Sequence, residues 1–264
     1  MTLPLPTGYT PPPRPPLTAA ARTLLVAVFE LVPIALSFLL SALRDPGSSN
    51  TATGLAATRQ RYLRVLSRLG CTLEVIGAER IPTEGGVVFL WNQASHLDHL
   101  VLPAALSRPF FSLFNNELGA FPLYGAYLRR SGHVHVDRTD AAQWRPAIAA
   151  AALRVEHGEC VLVSPEGTRN WDGQLLPIKQ GSLLLASAAR RPVVCVCVVG
   201  GHERLPRGSA VVRPGRVVVE FSAPIAITDD TAQVRAELAT KVATTFQRAL
   251  DLHGPNCRAL ASAK

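Results

Sequence analysis

Short apolar runs recur along most of this chain, each separated from the next by a longer stretch with helical periodicity. Residues 72–76, 87–91, 111–114, 134–136, 160–163, 193–199 and 217–221 read as strands, being short, valine-rich and bounded by turn-forming or polar residues. Residues 96–106, 120–131, 141–156, 180–188 and 231–252 read as helices. The runs at 87–91 and 193–199 are apolar at every position, the pattern of strands buried on both faces. This alternation predicts an α/β domain over residues 70–264, with a mostly parallel central sheet flanked by helices.

The N-terminal quarter has a different texture. Residues 1–17 hold seven prolines and almost no apolar periodicity, which predicts a disordered or extended arm rather than a signal peptide. Residues 24–43 are nearly all apolar and about as long as a membrane span, but Glu30 and Pro33 interrupt them. A carboxylate at mid-bilayer is costly and a proline breaks the helical ladder. The pattern therefore favours a kinked helix dipping into one leaflet. A true span and a helix packed on the soluble domain are the other readings. Residues 53–69 place Arg59, Arg61, Arg64 and Arg68 among Tyr62, Leu63, Leu66 and Leu69, as in an amphipathic helix with a basic face or an ordinary surface helix. Residues 18–69 are thus expected to form a membrane-associated helical segment.

Composition narrows the partners. With 48% hydrophobic and 17% charged residues the chain is too apolar to be disordered. A net charge of +8 suits an anionic membrane surface or an acidic small substrate. Nucleic acid is not expected, because the arginines are dispersed and aromatic residues do not alternate with them. Five cysteines without a C-x-x-C pair point to reduced thiols in a cytoplasmic setting, with Cys195 and Cys197 on one face of a buried strand.

Three polar blocks stand out against this apolar background. The first is Trp91-Asn92-Gln93-Ala94-Ser95-His96-Leu97-Asp98-His99, at a strand-to-helix junction. Ser95 and Asp98 fit a capping box. They also fit a carboxylate placed one turn into a helix to orient a base in the preceding loop. The second is Gly132-His133-Val134-His135-Val136-Asp137-Arg138, a strand ending in an Asp–Arg pair. His133 and His135 share a face there, but no third residue suggests a metal site. The third is Ser164-Pro165-Glu166-Gly167-Thr168-Arg169, followed by Leu176-Pro177-Ile178-Lys179-Gln180-Gly181.

Taken in order, these blocks resemble the signatures of the glycerolipid acyltransferase family over about residues 70–225. Those enzymes move a fatty acyl group from a thioester onto a hydroxyl of glycerol 3-phosphate or a lysophospholipid. The first block reads N-H-x-S-x-x-D in the family, its histidine being the general base; here Gln93 occupies that position. A neutral amide cannot take the proton. His96 is a candidate substitute, although on a regular helix it would point about 200° away from Asp98; His99 lies on a different face again. The resemblance implies that Asp98 orients the base. It also implies that Arg138, Glu166, Gly167, Thr168, Arg169 and Lys179 gather the acceptor, the guanidinium groups pairing with its phosphate. The lysine common in the family before E-L is absent from Asn115-Asn116-Glu117-Leu118. The strand at 193–199 either lines an acyl channel or is plain core.

The expected function is a membrane-associated O-acyltransferase, impaired by Gln93 and needing no metal or cofactor beyond acyl-CoA or acyl-carrier protein as donor. It would act on a lysolipid acceptor at the cytoplasmic face of the membrane, as a peripheral or monotopic protein. A non-catalytic lipid-binding member acting as sensor or assembly subunit is the alternative, and a thioesterase delivering the acyl group to water is a third reading.

Overall fold

The computed structural model describes residues 13–32, 36, 52–120, 122–137 and 141–254. In chain order the elements are helix α1 (Leu17–Val26), running into a π-helical turn (Ala27–Leu31), α2 (Ala52–Arg68), β1 (Cys71–Ile76) and β2 (Val87–Trp91). Then come α3 (Asp98–Ala105), β3 (Phe111–Phe114), the short α4 (Asn116–Gly119), α5 (Pro122–Arg130), β4 (Val134–His135), α6 (Ala141–Glu156) and β5 (Cys160–Val163). The chain ends with α7 (Gln180–Ala188), β6 (Val193–Val199), the single turn α8 (Gly201–Arg204), β7 (Gly215–Phe221) and α9 (Ala232–His253).

The seven strands form one sheet in the order β1-β7-β6-β2-β5-β3-β4. Five of them, β6, β2, β5, β3 and β4, run parallel, while β1 and β7 pair in parallel with each other and meet β6 antiparallel through β7. The expected α/β class and mostly parallel sheet are what is found. The reversed pair has a consequence for the site: the N-terminal ends of β1 and β7 share a sheet edge with the C-terminal ends of the other five strands.

Alternation along the central strands fills a layer on each face. From β2, Phe89 and Trp91 enter one layer with Val194, Val196 and Val198 of β6, while Val88 and Leu90 enter the other with Val193, Cys195, Cys197 and Val199. Continuous valine runs suit strands covered on both sides, and each such side chain contributes roughly 1.5–3 kcal/mol on burial. All of β6 is therefore core. Cys195 and Cys197 do share a face, and burial pushes the Cys195 thiol up to about 12, so it stays protonated.

In α9, Leu238, Val242, Phe246 and Ala249 make one buried stripe, and Thr231 caps the helix by accepting from the Val234 amide at 3.2 Å. Val65, Leu66 and Leu69 at the end of α2 enter the first layer together with Val101, Leu102 and Ala105 of α3. The apolar side of the basic helix is therefore turned into the domain, and Arg59 donates to the Ala104 carbonyl at 3.0 Å.

Half of the segment expected at 24–43 falls outside the described residues, and among those described no helix is long and apolar enough to cross a membrane. Its visible start, α1 and the π-helical turn, exposes Leu17, Leu24, Leu25, Val28 and Phe29 along one side. The interrupting carboxylate of Glu30 is paired with Arg68 of α2, so the polar break in the apolar run ties it to the domain.

Candidate active site

The first block leaves the end of β2 as a loop, and its groups are fixed by hydrogen bonds to β6, to Glu166 and, from Ser95 Oγ at 2.7 Å, to the Leu205 carbonyl. Asn92, fully buried, exchanges two bonds with Val198 of β6: its Nδ2 donates to the carbonyl at 2.8 Å and its Oδ1 accepts from the amide at 2.6 Å. The Gln93 amide donates to Glu166 Oε1 at 3.0 Å. Asp98 Oδ2 accepts from the amides of Ala94 and Ser95 at 3.0 and 2.8 Å, and Ser95 Oγ accepts from the Leu97 amide at 3.0 Å.

Half of the capping box expected from Ser95 and Asp98 forms. Asp98 reaches back to the Ser95 amide, but Ser95 Oγ takes the Leu97 amide rather than that of Asp98. Leu97, the residue before the helix, makes no side-chain cap. The same arrangement also moves the helix start. Residues 96 and 97 are a turn and α3 begins at Asp98, two residues later than the pattern suggested, because the carboxylate folds back over the loop amides.

Asp98 is fully buried, and its Oδ1 has no hydrogen-bond partner among the described residues. Neither Gln93 nor His96 nor His99 is joined to it there. Gly201 lies against this oxygen, where a Cβ would stand only 2.8 Å from it, so only glycine fits. Burial pushes Asp98 up to about 7 against the bonds from Ser95 and Ala94 and the charge of Arg169, with Glu166 adding to the rise. His96 is exposed, and its ring lies 6.0 Å from that of His99. His99 stacks edge-on to Trp91 and is pushed down to about 4 by burial, with His96 and Arg169 adding positive charge nearby. An imidazole of that basicity is a poor base at neutral pH.

The third block follows β5, the sheet neighbour of β2. Glu166 is buried, and its second oxygen accepts from the Leu176 amide at 2.8 Å. Its carboxylate thus clamps the Gln93 loop and the 170–176 loop to the same point, where the resemblance had given it an acceptor hydroxyl. Burial pushes it up to about 7 in spite of both amide bonds. Gly167 adopts φ 67°, left-handed backbone that the turn requires. The Lys179 amide donates to the Pro165 carbonyl at 2.8 Å, which sets the exposed Lys179 side chain at the start of α7 beside the same turn. Thr168 and Arg169 are half-buried, and the charge of Arg169 is felt at both Asp98 and His99.

The second block lies further along the same edge, at the ends of β3 and β4. Arg138 is outside the described residues. Next to it, Asp137 accepts from Asn116 Nδ2 at 2.9 Å, and Asn116 Oδ1 lies 2.5 Å from His135 Nε2. His133 Nδ1 instead accepts from the Ser112 amide at 2.9 Å, so the two imidazoles serve different partners. No group of three side chains among the described residues could hold a metal ion. At about 4.8 Å per strand, the β4 end is some 14 Å from the β2 end. The blocks therefore line one edge at the C-terminal ends of parallel strands, where open α/β sheets bind ligands.

Comparison with known proteins agrees with this layout. A family model described as Acyltransferase matches residues 72–199, which carry all three blocks. The chain is 28% identical over 163 residues to the 1-acyl-sn-glycerol-3-phosphate acyltransferase of Cocos nucifera, covering 61% of this chain and 52% of that protein. It is 30% identical over 162 residues to the protein of the same name from Limnanthes alba, covering 61% and 57%. Over residues 72–199 the chain is similar to the acyltransferase family. The match spans just over half the length of these curated relatives. In fold, the chain resembles the crystal structure of the 1-acyl-sn-glycerophosphate acyltransferase PlsC from Thermotoga maritima, with a TM-score of 0.74 and 21% identity over 90% of this chain and 98% of that one.

Several residues that shape this site are not singled out by the motifs. Asn92 sits inside the first block, but its bonds to β6 depend on a strand order that spacing does not reveal. Arg207 lies far along the chain, yet its guanidinium donates to the Arg169 carbonyl at 2.6 Å and covers the Trp171 ring at 4.5 Å. It holds the turn that carries Arg169. Glu166→Ala is expected to unfasten both loops, leaving the Gln93 and Leu176 amides without acceptors at about 1–3 kcal/mol each. The check is thermal unfolding together with amide exchange at Gln93 and Leu176, which should speed up in the variant.

Proposed function

We propose that this chain is built as a membrane-associated O-acyltransferase that joins a fatty acyl group from acyl-CoA or acyl-carrier protein to the hydroxyl of a lysophospholipid or glycerol phosphate. The observation that carries this reading is the bond from the Gln93 amide to Glu166, which brings the base position, Asp98 and the Arg169 turn onto one sheet edge. In the reaction, the acceptor oxygen attacks the thioester carbonyl, the carbon–sulfur bond breaks, and the acceptor's proton leaves with the thiolate by way of a base. Arg169 and Lys179, with Arg138, hold the acceptor's phosphate. No metal or cofactor is needed beyond the thioester.

The exposed stripe Leu17, Leu24, Leu25, Val28 and Phe29 recurs at helical spacing and supports a peripheral or monotopic seat on an anionic cytoplasmic membrane face. The fatty chain of either substrate would reach the site from there.

A second reading, a non-catalytic lipid-binding member, is favoured by Gln93, because an amide cannot deprotonate the acceptor. Expressing the chain and its Gln93→His variant, and measuring by mass spectrometry which cellular lipids change, separates the two. New diacyl phospholipid with the variant indicates an impaired acyltransferase. Unchanged lipids with both, while lysolipid still binds, indicate the binding module, and loss of acyl thioester without lipid product indicates hydrolysis.

A further inference from the structure

Beyond the three blocks, the same sheet edge holds a second group of cations. The reversal of β1 and β7 places their N-terminal ends beside the C-terminal end of β6, where the Gly215 amide donates to the Gly70 carbonyl at 2.9 Å. Two guanidinium groups rest on these glycines. The central carbon of Arg22, from α1, lies 3.5 Å from where a Cβ on Gly70 would stand, and that of Arg204 lies 2.8 Å from the equivalent point on Gly215. Both charges are felt by the Cys71 thiol. Arg213 lies on the same loop and donates to the Pro13 carbonyl.

The polar accounting here does not close. Arg22 Nε and Nη2 and Arg204 Nε are buried without a hydrogen-bond partner among the described residues, and no described carboxylate pairs with either arginine. Glu203, on the same turn, leaves its own Oε2 buried and without a partner among the described residues. Both side chains are half-buried and Arg204 Nη1 donates to the Pro214 carbonyl at 2.8 Å, so the cost falls on the shielded nitrogens. The segment that carries Arg204 is the one whose Gly201 lies against Asp98 and whose Arg207 holds the Arg169 carbonyl, so this cluster adjoins the reaction centre.

We propose that Arg22 and Arg204 form a second phosphate-binding site, separate from the acceptor pocket, which takes the phosphate of the acyl donor's carrier or of a membrane lipid headgroup. Guanidinium groups pair well with phosphate oxygens, and a bound phosphate would supply the missing counter-charge. Because the orphan nitrogens are shielded, entry requires α1 to lift slightly from the edge. Its polar attachments there are a bond from the Val212 amide to Thr23 Oγ1 at 3.0 Å and the Arg213 contact with Pro13, while Val26 and the Glu30–Arg68 pair anchor its far end. The choice of donor phosphate as one source rests on the proposed acyl transfer; the site itself does not.

The test is titration calorimetry with pyrophosphate on the full chain carrying Arg169→Ala, which weakens the acceptor site's share of the measurement. Adding Arg22→Gln or Arg204→Gln is expected to weaken the remaining binding by about tenfold or more. Equal binding with and without those changes, or no binding to begin with, would overturn the site. A measurement free of substitutions serves if a variant does not fold. Pyrophosphate should slow alkylation of Cys71 relative to Cys160, because an anion on the arginines removes the positive charge that favours the Cys71 thiolate; an equal effect on both thiols would contradict the site. Competition by CoA assigns the phosphate to the donor, and competition by phosphatidylglycerol vesicles but not phosphatidylcholine vesicles assigns it to the lipid surface. Either supports the site, and the acceptor reading can fail independently through Arg169.

Discussion

Gln93→His is expected to raise the rate of acyl transfer from acyl-CoA to lysophosphatidic acid by about 10²–10⁴-fold, the usual contribution of a general base. The site is prepared for the change. Asp98 already spends Oδ2 on the loop amides and leaves Oδ1 buried with no hydrogen-bond partner among the described residues. A donor ring nitrogen introduced at position 93 could bond to it, and its other nitrogen would then be the base. The same carboxylate would stabilise the ring once protonated, as in other carboxylate–imidazole pairs. Steady-state turnover of the two proteins checks this. Equal and substantial turnover would mean that another group, such as His96, already acts as base. The gain should disappear when Asp98→Asn is added, since the two residues act as a unit.

Asp98→Asn alone is expected to reshape the pH dependence of stability. The Asp98 carboxyl is near 3.8 when unfolded and pushed up to about 7 in the fold, so the native state holds a proton that the unfolded chain has lost between those values. Stability should therefore fall as pH rises from about 4 to about 7 and level off above, each pH unit costing up to about 1.4 kcal/mol. Below the unfolded value both states are protonated and the cost is absent. Glu166, pushed up to about 7 from 4.5, gives a parallel slope. Asparagine cannot ionise, so the variant should lose roughly half of the combined slope while keeping an acceptor for the Ala94 and Ser95 amides. Chemical denaturation at pH 5 and pH 8 measures it. A slope unchanged by the substitution would mean that Asp98 is charged throughout, and that the enclosure described for it is wrong.

Much of the fold could be read from residue pattern because its physical causes are local. A run such as 193–199, valine or cysteine at every position, suits only a strand covered on both faces. Thr231 and the stripe Leu238, Val242, Phe246 and Ala249 announce α9 in the same way. Strand order has no such local cause. Nothing in the spacing shows that β1 and β7 run against the rest, and so nothing shows that Arg22 and Arg204 arrive beside the reaction centre.

The site divides along the same line. The blocks named Asp98, Glu166 and Arg169, but the clamp from Glu166 to the Gln93 and Leu176 amides is a long-range contact, as is Arg207 on Arg169. The start of α3, at Asp98 rather than residue 96, differs from the pattern for another reason. Helical periodicity does not register a carboxylate that folds back over the preceding amides. The arginine-rich helix could have turned its apolar side to a membrane or to the domain, and packing of Val65, Leu66 and Leu69 in the first layer settles that it is the domain.

The central requirement is a phosphate-holding acceptor pocket that exists whether or not a base stands at position 93. Its direct test is equilibrium binding of lysophosphatidic acid to the unaltered chain and to Arg169→Ala, each assayed below the lipid's critical micelle concentration. Saturable binding to the chain, weakened by about tenfold or more in the variant, is the expected result. Identical affinity in the two proteins would contradict it.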